Sequence, residues 1–264
     1  MSPISCRNLT FSYNKQAVLK NINLTFQSGQ FVGLIGANGA GKSTLLKLLL
    51  GLLKPQSGVV MVDDIDLQAQ KRRDIAKKIA FVPQSTELPY AFSVEEIVAM
   101  GRNPYLGAFE LLNKEDLRLI EQALHKTDII HLRNRIVNTL SGGEKQRVII
   151  ARALAQQSPT ILLDEPIASL DICHQIETLQ LIESLSKNGK LAITALHDLN
   201  FAARYCDRII LLGKDAHNTT SVIADGSAQE VLNAENLRHC FSIEADIIKS
   251  ENGINLVNIT PLKS

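Results

Sequence analysis

Tryptophan is missing from the 264-residue chain, and only 5% of its residues are aromatic. It therefore offers a poor platform for stacking the bases of single-stranded nucleic acid. Neither sign of charge is in excess, since 28 Lys+Arg stand against 27 Asp+Glu for a formal charge of +1. That removes the clustered basic face on which duplex or RNA binding depends, and no nucleic-acid partner is expected. Long apolar runs are lacking too. The densest segment, residues 45–53, is interrupted by Lys47 and Gly51, well short of the ~18 to 20 apolar residues that cross a bilayer. The amino end, MSPISCRN, has neither a basic start nor an apolar stretch, so no secretory signal is read there and the chain is expected in the cytosol. The four cysteines, Cys6, Cys173, Cys206 and Cys240, stand far apart with no CxxC spacing. Neither a zinc ribbon nor a redox pair follows, and reduced, mostly buried thiols are expected. The six histidines are scattered, and the Asn-x-Thr triplets at Asn8, Asn23, Asn218 and Asn258 carry little weight without a secretion signal.

What is present fits a folded protein: 45% of residues are apolar and 21% charged, enough for a large core in one domain, with or without an inserted lobe. The first 35 residues read as strands. Val18, Ile22, Leu24 and Phe26 alternate in part, and Phe31 to Ile35 is a short apolar run between glycines, as for a buried strand. Residues 42–50 (KSTLLKLLL) form an apolar helix closed by Gly51, Pro55 and Gly58. Between 59 and 83 come a strand (VVMV), an Asp63-Asp64 turn, a charged helix around Lys71 to Lys78, and a strand (IAFV) stopped by Pro83. From about 86 to 157 the strands disappear. Ser93 with Glu96 and Asn113 with Asp116 have capping-box spacing, which predicts an all-helical lobe inserted in an α/β core. Strands 160–164, 191–196 and 208–212 and helices 172–187 and 198–205 then restore the α/β alternation, and a parallel sheet with crossover helices is the economical fold. Ser227 and Glu230 predict a further helix start, and Asn252-Gly253 a hairpin turn.

Gly36-Ala37-Asn38-Gly39-Ala40-Gly41-Lys42-Ser43 matches GxxxxGK(S/T), directly after a predicted strand and at the start of a predicted helix. Glycines let successive N–H groups curl around phosphate oxygens, the helix dipole favours negative charge there, and Lys42 adds a point charge toward the outer phosphates. The Ser43 hydroxyl is placed for magnesium. A second element, Ile161 to Pro166 (ILLDEP), puts adjacent acids at the carboxyl end of an apolar strand, the edge where open parallel sheets bind ligands. Asp164 suits a magnesium site, and Glu165 can orient or deprotonate an attacking water. The third element, Leu140-Ser141-Gly142-Gly143-Glu144-Lys145-Gln146, precedes an amphipathic helix expected over Arg147 to Gln156. It reads either as a second anion site or as an ordinary serine cap with flexible glycines.

LSGGEKQ, with GANGAGKST and ILLDEP, resembles the nucleotide-binding subunits of ATP-binding cassette (ABC) transporters over about residues 4–240. The resemblance implies a P-loop NTPase fold of the α/β class, with a RecA-like parallel sheet core, an antiparallel β subdomain and an inserted helical subdomain. It divides the chain into a catalytic core (1–85 and 158–240), a helical subdomain (86–157) and a tail (241–264). It also implies a magnesium-dependent ATPase in which Tyr13 stacks on adenine, Gln84 links magnesium to the transporter interface, Asp171 communicates across a dimer and His197 contacts the γ phosphate. Thr44 and Gln146 complete the expected nucleotide contacts. Two copies would sandwich two ATP, each phosphate loop facing Ser141-Gly142-Gly143 of the other chain.

The family's usual Glu-Pro-Thr-Ser-Ala-Leu-Asp is here Glu165-Pro166-Ile167-Ala168-Ser169-Leu170-Asp171, which loses or displaces a hydroxyl pair near the dimer seam. Residues 214–221 (KDAHNTTS) lengthen what is usually a tight hairpin turn and read as a surface loop. Met100 to Tyr105 (MGRNPY) and Leu196 to Tyr205 (LHDLNFAARY) look like the ATPases of bacterial importers for iron chelates, haem and cobalamin, although GRNP also reads as a plain turn between helices. The expectation is therefore an importer ATPase for a ferric siderophore or haem, with cobalamin or metal-ion/oxyanion import, or a soluble ABC ATPase acting on nucleic acid, as alternatives. Its partners would be a second copy, membrane permease subunits and, indirectly, a substrate-binding protein. It would sit peripherally at the cytoplasmic face of a bacterial inner membrane. About 24 residues follow Cys240, too few for an added regulatory domain.

Overall fold

Two ten-residue strands open the chain, β1 (Ile4–Tyr13) and β2 (Gln16–Thr25), paired antiparallel with Ile4, Cys6, Leu9, Leu19, Ile22 and Leu24 turned into the core. The next strand, β3 (Phe31–Ile35), is buried at every residue, because a strand covered on both faces needs apolar residues at both parities. It runs into α1 (Lys42–Leu49), whose Leu45, Leu46, Leu48 and Leu49 are fully buried. Then follow β4 (Ser57–Val62), the two-residue β5 (Ile65–Asp66), α2 (Arg72–Lys78) and β6 (Ile79–Val82). Asp63 and Asp64 both take left-handed backbone between β4 and β5, as a tight hairpin turn requires. The coordinates, a computed structural model, describe residues 4–14, 16–84, 91–168, 170–215, 218–250 and 253–262.

The helical segment contains α3 (Val94–Ala99), α4 (Lys114–Lys126) and α5 (Gly142–Ala155), and both expected capping boxes form at Ser93/Glu96 and Asn113/Asp116. The α/β alternation then resumes with β7 (Thr160–Asp164), α6 (Ile172–Lys187), β8 (Leu191–Ala195), α7 (Leu199–Tyr205), β9 (Arg208–Lys214) and β10 (Thr220–Gly226). The chain closes with α8 (Ala228–Val231), α9 (Ala234–Phe241) and a separate hairpin, β11 (Ile243–Ser250) with β12 (Gly253–Pro261).

Among the described residues ten strands form one sheet, in the order β5-β4-β1-β2-β10-β9-β3-β8-β7-β6. The run β9-β3-β8-β7-β6 is parallel, and β10 joins it to the antiparallel end through Thr220 beside Leu19. Each face has its own core. Val32, Leu34, Leu162 and Ile193 pack with α1, whereas Phe31, Ile35, Ile161 and Leu163 pack with α5, α6 and α7.

Two local expectations change, and one helix was not read from the sequence. The helix expected from Arg147 begins at Gly142, because Ser141 and Glu144 cap one another and stabilise a first turn that glycines alone disfavour. Residues 214–221 are only partly a loop, since Thr220 and Ser221 pair with Lys214 and Gly213 as strand. Helix α9 lacked an obvious start signal, yet Asn233 caps it by accepting the Asn236 N–H. Asn252 and Ser169 lie outside the described residues, as do Ala216 and His217. Of the cysteines, Cys6 and Cys206 are buried, Cys240 is half-buried and Cys173 is exposed.

The MGRNPY segment turns inward. A Cβ on Gly101 would stand 2.2 Å from the Arg152 carbonyl oxygen of α5. Arg102 pairs with Asp116 at 2.8 Å, donates to the Ala155 carbonyl at 2.9 Å and lies 4.0 Å over the Tyr105 ring. Both members of the pair are under 10% exposed. These residues staple α4 to the carboxyl end of α5. Arg102→Ala would leave Asp116 buried without its partner and should cost about 3 to 5 kcal/mol. Gly101→Ala forces a backbone shift and should cost about 1 to 3 kcal/mol. Urea denaturation of both variants checks the order, and equal stability to the parent would remove the staple.

Candidate functional site

The loop from Gly36 to Lys42 leaves the carboxyl end of β3 and enters α1. Its glycine at 36 is required by close approach, since φ is +152° and a Cβ would stand 2.4 Å from the Leu212 carbonyl oxygen. Lys42 is 5% exposed and folds back over the loop, donating from Nζ to the carbonyls of Gly36 at 2.8 Å and Ala37 at 3.3 Å. Burial pushes its ammonium below the usual lysine range, while Glu165 and Asp164 oppose that shift.

Parallel pairing of β7 with β8, itself beside β3, brings the acid pair to the same edge. Asp164, 5% exposed, accepts the Ser43 hydroxyl at 2.9 Å. Burial holds its carboxyl above the usual range, with the Ser43 bond acting the other way. Glu165 takes left-handed backbone just beyond the strand. Its Oε2 accepts from Gln84 Nε2 at 2.6 Å, and its Oε1 meets His197 Nε2. Gln84 follows β6, and His197 follows β8. Four strand ends, those of β3, β6, β7 and β8, thus bring Lys42, Gln84, Asp164, Glu165 and His197 to one edge.

A cleft over this edge is lined by Val18, Asn38, Gly39, Ala40, Gly41, Lys42, Ser43, Thr44, Glu165 and His197. Several expected nucleotide contacts are not among its lining residues. Tyr13 is exposed and packs edge-on against Phe11, with ring centroids 4.7 Å apart. Ser141, Gly142 and Gly143 start α5, where Ser141 accepts the Glu144 N–H at 3.3 Å and donates its own N–H to the Glu144 carboxylate at 2.7 Å. Around Gly142 a Cβ would meet nothing within 4 Å. Asp171 caps α6 and is exposed, and the Gln146 side-chain Nε2 is buried without a hydrogen-bond partner. One chain therefore does not fold its two glycine-rich elements onto one cleft.

Two neighbours of the loop were not read from the sequence. Val18 lines the cleft from β2. The Lys214 ammonium lies 3.8 Å from where a Cβ of Gly39 would stand, a further cation beside the phosphate loop. Neither carries a local signal, because both arrive through sheet pairing across the chain.

The residues fit the groups that the motifs imply. A glycine cradle at the amino end of α1 with a buried ammonium suits a polyphosphate. The Ser43 hydroxyl and the buried, oxygen-only Asp164 carboxylate suit a hard divalent cation such as magnesium.

Comparison with known proteins agrees with this geometry. The family model described as ABC transporter matches residues 19–168. The chain is 38% identical to the iron(3+)-hydroxamate import ATP-binding protein FhuC of Bacillus subtilis, covering 94% of this chain and 91% of that protein. It is 43% identical to the hemin import ATP-binding protein HmuV of Pseudomonas entomophila, covering 86% and 88%. Among solved structures, the dimeric structure of MJ0796, a bacterial ABC transporter cassette, superposes with a TM-score of 0.73 at 32% identity, over 85% of this chain and 98% of that one.

The raised Asp164 carboxyl has a stability consequence. The fold holds this proton more tightly than the unfolded chain does, so the contribution is stabilising at low pH and is lost as pH rises through the folded value. Asp164→Asn, which can still accept from Ser43, should therefore raise the melting temperature of the nucleotide-free protein at pH 7.5 by about 2 to 4 °C. The gain should shrink as pH falls, and calorimetry across pH 5 to 7.5 reads both; an unchanged or lower value at pH 7.5 would show that the carboxylate is satisfied there.

Proposed function

The chain belongs to the ABC transporter family and is an ATP-binding ATPase, and from that premise we propose that it energises uptake of an iron chelate, a ferric siderophore or haem, through separate membrane subunits. The cargo reading is supported by the iron-hydroxamate and hemin import proteins to which the chain is similar. The separate path is supported by the absence, among the described residues, of any helix long and apolar enough to cross a membrane. The protein would then work at the cytoplasmic face of a bacterial inner membrane, held there by its permease and responding through it to a substrate-binding protein. Residues 1–85 and 158–240 would form the catalytic core, 86–157 the lobe that meets the permease, and 241–264 a tail.

The observation that carries the mechanism is Glu165 held between Gln84 and His197 beside the phosphate loop. A carboxylate so placed can orient a water toward a γ phosphate and accept its proton, while His197 fixes the carboxylate and contacts the same phosphate. Loop amides and Lys42 hold the negative charge that develops in transfer, exchanging the Lys42 bonds to loop carbonyls for bonds to phosphate. Ser43 and Asp164 would hold magnesium, with Gln84 linking that site to the permease, and the metal would supply charge neutralisation of the phosphates. Thr44 lies within the same cradle, and Tyr13 offers its exposed ring to adenine. A second copy would bring Ser141-Gly142-Gly143 and Asp171 to each nucleotide. The open surround of Gly142 and the dimeric state of the MJ0796 cassette support that sandwich.

Purified protein should show magnesium-dependent ATPase activity, stimulated by an iron-chelate permease in lipid with its loaded binding protein and abolished in Lys42→Ala; activity indifferent to the permease would overturn the importer reading. Glu165→Gln should keep ATP binding, lose about 10²- to 10⁴-fold in turnover and accumulate ATP-bound dimers on size exclusion. Gly142→Ala should leave the melting temperature and nucleotide affinity of the monomer intact, because nothing among the described residues meets the added methyl, yet cut turnover at least about tenfold by intruding on the partner's phosphate. Full turnover in that variant would count against the sandwich.

A further inference from the structure

His174 belongs to none of the motifs above, yet it touches two of them. It sits in the first turn of α6, where its backbone N–H donates to Asp171 Oδ1 at 3.0 Å and its ring Nδ1 meets Asp171 Oδ2 at 2.6 Å. A carboxylate at Nδ1 sets that nitrogen as the protonated one. The same two bonds hold the exposed Asp171 carboxyl below its usual range. The other side of the ring lies against the start of α5: a Cβ on Gly143 would stand 3.3 Å from His174 Cδ2 and 3.4 Å from Cγ. One imidazole thus meets both the residue that caps α6 and the second residue of α5.

Further along, α5 and α6 share one buried core, and polar groups join their outer sides. One turn further along, Arg147 of α5 pairs with Glu177 of α6 and reaches Asp128 at 3.8 Å. Exposed ion pairs of this kind hold helices weakly. A cleft lined by Thr127, Asp128, Ile150, Thr178 and Leu181 opens beside that pair. At the Gly143 end of α5 the neighbour that an added Cβ would meet is the His174 ring.

We propose that His174 is a positioning residue that ties Asp171 to Ser141-Gly142-Gly143, so that both are presented to the partner's nucleotide as one rigid unit. The proposal rests on the sandwich reading, in which those two elements face the same nucleotide across the dimer. A residue in this position needs two properties at once, a donor where Nδ1 lies and a flat face against Gly143. Asparagine supplies the first without the second, and phenylalanine the second without the first.

The test begins with Glu165→Gln protein otherwise unaltered, whose ATP-dependent dimerisation is measured by sedimentation velocity. Absence of dimers there would overturn the sandwich itself, before any His174 variant is made. In the same background His174→Ala should leave nucleotide affinity of the monomer within about twofold and weaken dimerisation about tenfold, and with Glu165 restored it should lower kcat about tenfold, magnitudes in the usual range for coupling between sites. His174→Asn and His174→Phe should each recover less than half of either loss. Unchanged dimerisation and kcat in His174→Ala would overturn the proposal. So would full recovery by asparagine, which would leave an ordinary cap partner, or by phenylalanine, which would leave a filler of space. Should His174→Ala fail to fold, the contrast between the asparagine and phenylalanine variants decides alone.

Discussion

Charge balance at the carboxyl edge of the parallel sheet is the constraint on which the rest of the molecule depends. One ammonium, Lys42, and two carboxylates, Asp164 and Glu165, are gathered where water is largely excluded, and an unpaired charge there would be costly. The chain answers with short bonds. Lys42 donates to two loop carbonyls, Ser43 donates to Asp164, and Gln84 and His197 bracket Glu165. Burial still pushes Lys42 and Asp164 each toward its neutral form, so the edge is held under electrostatic tension. A polyphosphate with its cation would relieve both groups, giving Lys42 an anion and Asp164 a cation.

The sheet order creates this edge. Strand β3 lies between β8 and β9, while its own crossover helix α1 packs on one face and α6 and α7 on the other. Connections leaving a strand for opposite faces open a crevice at its carboxyl end, and the phosphate loop fills it. Continuous apolar strands make that arrangement rigid: β3, β7 and β8 are buried at every residue. Residues that must act at a defined distance are therefore carried by the least deformable part of the fold.

Close packing explains features that a motif catalogue would credit to partners. Gly101 and Arg102 are held by α5 and Asp116 rather than offered to solvent, so MGRNPY is first a staple within the helical segment. Asn200, in the LHDLNFAARY segment, exchanges hydrogen bonds with the backbone of Leu256 at 2.7 and 3.2 Å, tying α7 to the terminal hairpin.

Local chemistry alone determined much of this protein. A glycine loop between a β-period and an α-period, a pair of acids ending an apolar strand, and capping-box spacings at Ser93, Asn113 and Ser227 depend on neighbours within a few residues, and each stands where the spacing placed it. A helix is expected only from Arg147 because helix propensity counts against glycine, whereas the Ser141–Glu144 reciprocal cap supports a first turn from Gly142. Other facts had no local cause. The joining of both sheet halves through β10, the arrival of Val18 and Lys214 beside the loop, the inward turn of Arg102 and the contact of His174 with Gly143 all bring together residues distant in the chain. Only the tertiary structure decided them, because strand order and helix packing are settled by burial of surface over the whole chain, and no window of sequence contains that sum.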